Sequence, residues 1–314
     1  MADGGILLGR YASLTIGIRK EKGVKIESVS KDKDGRIVDG LRIRFKIEKT
    51  SEPTPNKAHI DVFNLNSKTR ALLQTPGCVI ILEVGYDNFS GGKNPVSAVI
   101  FRGDVVKSQT VKNGDDYITT IENGDGLAAY QGSQFNQSFS AGASAQDIVG
   151  SIIGSFTGVG QGEVSGVEGQ YLSGSTFSGT SKDAMDQVTA KTNTEWSIQN
   201  GLMQVVPINK HTKKPAILLQ SVYKGDDQDR LDEHGNPRNT GLIDSPSLSG
   251  FSHSKEKKFH GVEFKSLLQA GLEPGRRVLI SAKNVKGAFV VKKVTHDGDT
   301  VSGPWFSECE GIAI

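Results

Sequence analysis

Three apolar runs follow one another along the first third of the chain: Ile60–Leu65, Val79–Tyr86 and Ala98–Val105. Each is rich in Val, Ile or Phe and bounded by Asn, Gly, Pro or Ser, the pattern of sheet strands joined by turns. No catalytic residue is needed to explain these runs. Upstream, Leu41, Ile43, Phe45 and Ile47 alternate with Arg42, Arg44 and Lys46, which predicts a strand with one face on a core and the other toward water or a partner. A further strand is expected at Leu14–Ile18. The Lys31–Gly35 segment predicts a turn in which Asp34-Gly35 closes a hairpin.

Ser67–Gln74 predicts one short helix, with Ser67 as N-cap and Pro76-Gly77 as the stop, plugging one end of a small barrel. Tyr117–Glu122 predicts another strand, reached from Val105–Lys112 through an Asn113–Asp116 turn. A first β domain is therefore expected over residues 1–130.

Residues 131–206 change character. A helix is expected from Ser144–Asp147 onward, with the Asp147 carboxylate receiving first-turn N–H groups and Ile148, Ile152 and Phe156 along one face. A second follows Thr180–Asp183, with Met185, Val188 and Thr192 as its inner stripe. The Gly-rich segment 158–179 between them predicts a flexible loop or an irregular hairpin. Trp196–Gln199 and Leu202–Val206 are expected to pair across Asn200-Gly201, a strong hairpin signal. Strands return over residues 207–314, at Ala216–Leu219, Gly261–Phe264, Arg277–Ser281, Gly287–Val294 and Trp305–Cys309, which predicts a second antiparallel barrel-like unit. Lys224–Thr240, charged and poor in apolar residues, is expected to be its least ordered part.

Composition narrows the function. The 314 residues, 36% hydrophobic, suffice for a sizeable core, and the 38 Gly with a mean hydropathy of -0.32 favour turns and short strands over long helices. A net charge of +2 gives no basic field for sequence-independent nucleic-acid binding, and the basic runs at Arg19–Lys25 and Lys255–Lys258 are expected to be solvated surface. Cys78 and Cys309, each within a strand-like stretch, are expected to be buried free thiols of a protein folded in a reducing compartment. No run approaches the roughly 18–20 apolar residues of a membrane helix, and no signal peptide is expected.

The search for chemistry is mostly negative. Asp226–Glu233 is oxygen-rich but lacks EF-hand spacing and includes Arg230, so a solvated loop is favoured over a cation site. None of the six His stands four residues from another as a zinc hydrolase needs. His253 and His260 flank lysines and are expected at the surface. His296-Asp297-Gly298-Asp299 is expected to form a tight turn between the Val290 and Trp305 strands, with ordinary pKa values in water. Asp115-Asp116 falls at a turn tip. Neither a nucleophile elbow nor a phosphate-binding or dinucleotide-binding glycine pattern is present. Catalytic, cofactor-binding and metal residues are therefore all expected to be absent.

Several blocks together resemble the baseplate hub proteins at the tip of bacteriophage tails, especially contractile ones. They are Leu41–Phe45, Asn56 with Ala58–Leu65, Thr69-Arg70, Glu83–Tyr86, Ile100–Val105 and Asn123–Gly126. Thr240–Ile243, Leu267-Leu268, Leu272–Gly275, His296–Asp299 and Trp305 continue the resemblance. The Gly-rich segment and residues 224–240 carry no matching block.

The resemblance implies a mostly β (α+β) chain with two antiparallel barrel-like domains of the tail-tube type, 1–130 and 207–314, around a small helical insertion. It also implies a homotrimeric ring that adapts a sixfold tail tube to a threefold central spike. Implied partners are further copies of the chain, tube or tube-initiator proteins, the spike and surrounding baseplate proteins, with genomic DNA only passing through the lumen. The site implied is the virion tail tip, after synthesis in the host cytoplasm, without membrane insertion by this chain. The alternative is a tail-associated cell-wall hydrolase or peptidase, which would need a cleft with paired carboxylates or a zinc set.

Overall fold

The structure, a computed structural model, describes residues 9–19, 21–34, 36–87, 95–220, 240–252 and 258–314. It is mostly β, with four helices among the described residues: α1 Ser67–Leu73, α2 Leu127–Gly132, α3 Ala145–Ser155 and α4 Ser181–Thr192.

One sheet organises the chain. From one edge it runs Leu242–Ser252, Lys258–Leu267, Trp305–Ala313, Lys286–Asp299, Ile43–Thr50, Lys57–Phe63, Asp116–Gly124, Val96–Asn113, Cys78–Tyr86, Arg10–Ile18 and Val24–Glu27. These neighbours are antiparallel, but the order does not close on itself among the described residues, so the barrel-like units are parts of one open, continuous sheet. Two long strands turn its corners. Val96–Asn113 pairs with Cys78–Tyr86 through its first half and with Asp116–Gly124 through its second, with a bulge at Val105/Lys107. Lys286–Asp299 pairs with Arg277–Ser281 early and with Ile43–Thr50 late, with a register shift at Val291/Lys293 against Trp305–Ala313. Such shifts let a strand bend from one layer into the next.

Antiparallel pairing is not universal. Gly160–Val164, inside the Gly-rich segment, runs parallel to Leu202–Pro207, and Ile217–Gln220 runs parallel to Arg277–Ser281. The Gly-rich segment also holds strands Gln170–Tyr171 and Ser175–Thr180.

Local signals explain most elements. Ile43, Phe45 and Ile47 are buried while Arg44, Lys46 and Glu48 are exposed. The Lys31–Ile37 hairpin forms, its turn tied by Asp32, which accepts from the backbone N–H groups of Asp34 and Arg36; Gly35 lies outside the described residues. Asn200 and Gly201 both adopt positive φ, 55° and 77°, as the tight turn between Thr194–Gln199 and Leu202–Pro207 demands. Helix α3 is capped by Ser144, whose hydroxyl accepts from the Asp147 N–H and donates to the Asp147 carboxylate, so that carboxylate serves the cap and not the open N–H groups. Helix α1 is capped one residue earlier than expected: Asn66, not Ser67, accepts from the Thr69 N–H at 2.9 Å.

Three apolar cores result. The first is built on Leu14, Ile43, Phe45, Ile60, Ile80 and Ile121, and is completed from far along the chain by Leu268 and Trp305. The second gathers Ile148, Ile152 and Phe156 of the α3 side with Met185 and Val188 of α4 and Trp196 of the hairpin; the Phe156 and Trp196 rings lie 5.6 Å apart. The third holds Val262, Phe264, Leu272, Val278, Val291 and Cys309. Both Cys are buried and free.

Candidate functional site

The sequence predicts a tight turn at His296–Asp299; the structure places all four residues in the strand Lys286–Asp299. The alternation Val294, His296, Gly298 continues inward, and the actual turn follows at Thr300–Pro304. Asp297 pairs with Lys46 and Phe306, and Gly298 with Phe45 and Trp305. Turn formers were recruited here for their size and hydrogen bonding. A Cβ on Gly298 would lie 2.3 Å from the Phe45 ring, so only glycine fits. His296 is fully buried; its Nε2 donates to the Leu272 carbonyl at 3.1 Å, which leaves Nδ1 to accept from the Ser307 hydroxyl at 2.8 Å. Burial, helped by the charge of Lys49, pushes its pKa down to about 3, so it is neutral and structural.

The pKa values of this segment depart from the ordinary range. Asp299 receives a bidentate fork from Arg42, at 3.0 and 2.6 Å, and the backbone N–H of Val301. Burial alone would raise its pKa, but these donors outweigh it and hold the carboxyl below its usual value. Burial raises that of Asp297.

Other candidates are dispersed. Asp226–Glu233, His234 and His253 lie outside the described residues, and the side chain of His260 is not described. His59 is exposed beside Asp61, and His211 Nδ1 meets the Thr212 carbonyl. Asp116 sits at its turn, accepting from Asn64 Nδ2. Among the described residues no three His, Cys, Asp or Glu side chains are arranged to hold a metal ion.

A polar junction that sequence reading missed lies where the insertion meets the first β unit. Lys49 continues the inward face of Ile43, Phe45 and Ile47 and is 1% exposed. Its ammonium nitrogen donates to the Ile100 carbonyl at 3.2 Å and to Asn200 Oδ1 at 3.1 Å. Asp125, fully buried, accepts from the backbone N–H of Asn200 at 2.6 Å and of Gly201 at 2.9 Å. Asn56 donates to the Ile198 carbonyl, and Gln199 Nε2 to the Thr50 carbonyl. Burial raises Asp125 to about 6 against the pull of Lys49 and the turn N–H groups. Burial likewise lowers the Lys49 pKa, opposed by Glu273 and Asp125. The signal was available: the period-2 face that buries Ile47 points residue 49 inward as well.

Assembly surfaces are the other functional candidates. Among the described residues, Leu242–Ser252, Val24–Glu27 and the Val105–Asn113 half-strand each pair on one side only. Leu248, Val106, Val111 and Tyr117 are exposed on or beside these edges. Unpaired strand edges are templates for pairing with another chain. Among the described residues no helix is long and apolar enough to cross a membrane.

No protein-family model matches the chain, and no curated protein matches it in sequence. Solved structures do match in fold. A tail protein from Neisseria meningitidis MC58 aligns over 96% of each chain, with a TM-score of 0.58 and 9% identity. The 43 kDa tail protein of prophage MuSo2 from Shewanella oneidensis also aligns over 96% of each chain, at 0.57 and 8%. An E. coli component of the type VI secretion system, itself described as structurally similar to T4 bacteriophage tail proteins, aligns over 95% of this chain and 76% of its own, at 0.57 and 8%. At such identities the likeness is one of fold. The fold expected from the sequence blocks, that of a β-rich phage tail protein, is the fold observed.

Proposed function

We propose that this chain is a structural subunit of the baseplate hub at the tip of a phage-type tail. Three copies form a ring that joins a sixfold tube to a threefold spike. The observation that carries the reading is the fold match over nearly the whole of this chain and of two tail proteins. The open sheet supports it further: a ring is the closed arrangement in which one copy's free edge meets a different edge of the next, a heterologous contact. The division into residues 1–130, 131–206 and 207–314 belongs to the same reading, the outer segments serving as two tube-like units per copy. Tube, spike and neighbouring baseplate proteins are its partners, and the virion tail tip its location. Catalysis is assigned elsewhere in the particle.

A reconstruction of the particle tip tests this. Three copies around the axis are expected; one or six copies would overturn the ring. Cell-wall hydrolysis by the isolated chain in a zymogram would instead promote the hydrolase or peptidase reading.

A further inference from the structure

We propose that Lys49 and Asn200 form an intramolecular isopeptide bond that fastens the insertion hairpin to the first β unit. Three conditions for such a bond meet at the buried junction. The Lys49 amine lies 3.1 Å from the Asn200 side-chain oxygen, which brings the adjoining carbonyl carbon within reach after a small side-chain rotation. Neither of the amine's hydrogen-bond partners, Asn200 Oδ1 and the Ile100 carbonyl, is a carboxylate. A lysine buried this way favours the neutral, nucleophilic amine, and the lowered pKa of Lys49 agrees. The electrophile is held still: Asn200 stands in a tight turn whose backbone N–H, with that of Gly201, is clamped by Asp125.

The reaction is an acyl transfer that balances without any oxidant or co-reactant. The Lys49 nitrogen attacks Asn200 Cγ, and the new Nζ–Cγ bond replaces the Cγ–Nδ2 bond. Ammonia leaves, carrying one proton that began on the amine. Asp125 interacts electrostatically with Lys49 and clamps the turn that carries Asn200, so it steadies the positive charge that develops on the attacking nitrogen. Lys49 and Asp125 are buried, so the attacking amine is shielded from bulk water. A bond here would join Ile43–Thr50, in the middle of the sheet, to the tip of the 194–207 hairpin. It would resist mechanical separation of the two.

Intact mass spectrometry of the purified full-length chain tests the proposal directly. The expected result is a protein lighter by one ammonia, with a branched proteolytic peptide joining the segments around residues 49 and 200 and faster migration on a denaturing gel. Lys49→Met and Asn200→Gly should each restore the full mass. Asn200→Gly keeps the positive-φ turn, so it separates chemistry from folding. Asp125→Asn keeps a hydrogen-bond acceptor for the turn but removes the negative charge that steadies the attacking nitrogen; with an unchanged circular dichroism spectrum, it should lose ammonia far more slowly than the parent. A folded parent protein of full sequence mass, yielding separate unlinked Lys49 and Asn200 peptides, would overturn the proposal. So would ammonia loss that persists in Lys49→Met.

Discussion

Gly298→Ala is the sharpest test of how Lys286–Asp299 is joined to Ile43–Thr50. In the structure Gly298 faces Phe45 across the pairing of Lys286–Asp299 with Ile43–Thr50. An added Cβ would lie 2.3 Å from Cζ of that ring and 2.8 and 2.9 Å from its Cε atoms, where ordinary contact begins at 3.4 Å. A gap of more than an ångström must therefore open. Phe45 cannot simply swing aside: it is 1% exposed and packs edge-on against Trp305 at 5.7 Å. Gly298 itself has no positive φ, so the whole penalty is steric.

Overpacking of this kind costs about 1–3 kcal/mol. For a chain of this size that lowers the thermal transition by roughly 2–4 °C per kcal/mol. The assay is thermal unfolding of Gly298→Ala, Phe45→Leu and the double variant. Phe45→Leu alone loses packing against Trp305; combined with Gly298→Ala, the smaller side chain makes room for the new methyl group. The double variant should therefore be more stable than the sum of the two single losses predicts, with a coupling of about 0.5 kcal/mol or more. Were residues 296–299 a solvated turn, Gly298→Ala would change little and the two positions would be additive. An unshifted transition together with strict additivity would refute the strand pairing.

Ile152→Asp should cost several kcal/mol, because a charge would enter the core shared by Met185, Val188 and Trp196; an unchanged melting temperature would put the stripe on the surface. Asp299→Ala should cost about 1.5–3 kcal/mol in a denaturant titration near neutral pH, since it strands the Arg42 fork. Because the folded pKa of Asp299 is depressed, its contribution is present above the ordinary carboxylate range and should fade as pH falls below it. His296, with a folded value of about 3 against 6.5 unfolded, makes the native state lose stability as pH falls from 6.5 toward 3, by up to about 1.4 kcal/mol per pH unit. Asp125, raised from 3.8 to about 6, works in the opposite sense below pH 6, so His296→Gln should flatten or invert the slope of stability against pH. Leu248→Lys, on a free edge and 55% exposed, should leave monomer stability within about 0.5 kcal/mol yet weaken ring assembly in sedimentation or particle reconstitution; undiminished assembly would remove that edge from the interface.

The elements legible in the sequence are those whose signal is local. Alternation revealed Ile43–Thr50, the Asn-Gly pair revealed the 194–207 hairpin, four-residue spacing revealed α3 with its inner face, and the Thr180–Asp183 start revealed α4, whose buried face holds Met185 and Val188 but only partly covers Thr192. What failed was decided by partners distant in the chain. Asp-Gly-Asp is turn chemistry in isolation, but Gly298 is glycine because of Phe45, more than 250 positions earlier. Asp299 is satisfied by Arg42, and His296 by Leu272 and Ser307. Asn66 is a local exception: it displaces Ser67 as the cap because its own side chain reaches the Thr69 N–H three residues on. The junction of Lys49, Asp125 and Asn200 was hidden because a lysine on an apolar face and an Asp among glycines each look solvated until folding brings them together.

Those long-range contacts converge on one strand. Ile43–Thr50 is hydrogen-bonded on one side to Lys57–Phe63 and on the other to Lys286–Asp299. Its inward face gives Phe45 to the first core beside Trp305, and Lys49 to the tip of the insertion hairpin. The first unit, the last unit and the insertion are thereby fixed to a single rigid element in mid-sheet, while two of the unpaired edges, Leu242–Ser252 and Val24–Glu27, lie at the far ends of the strand order. The proposed hub role would draw on this division. The joints are tied by several contacts at once, so they resist slipping, whereas the edges leave backbone groups unpaired among the described residues. The unusual residues of the chain, a buried lysine, a neutral histidine and a glycine in mid-strand, all lie within or directly beside that central strand, where the three parts must stay in register.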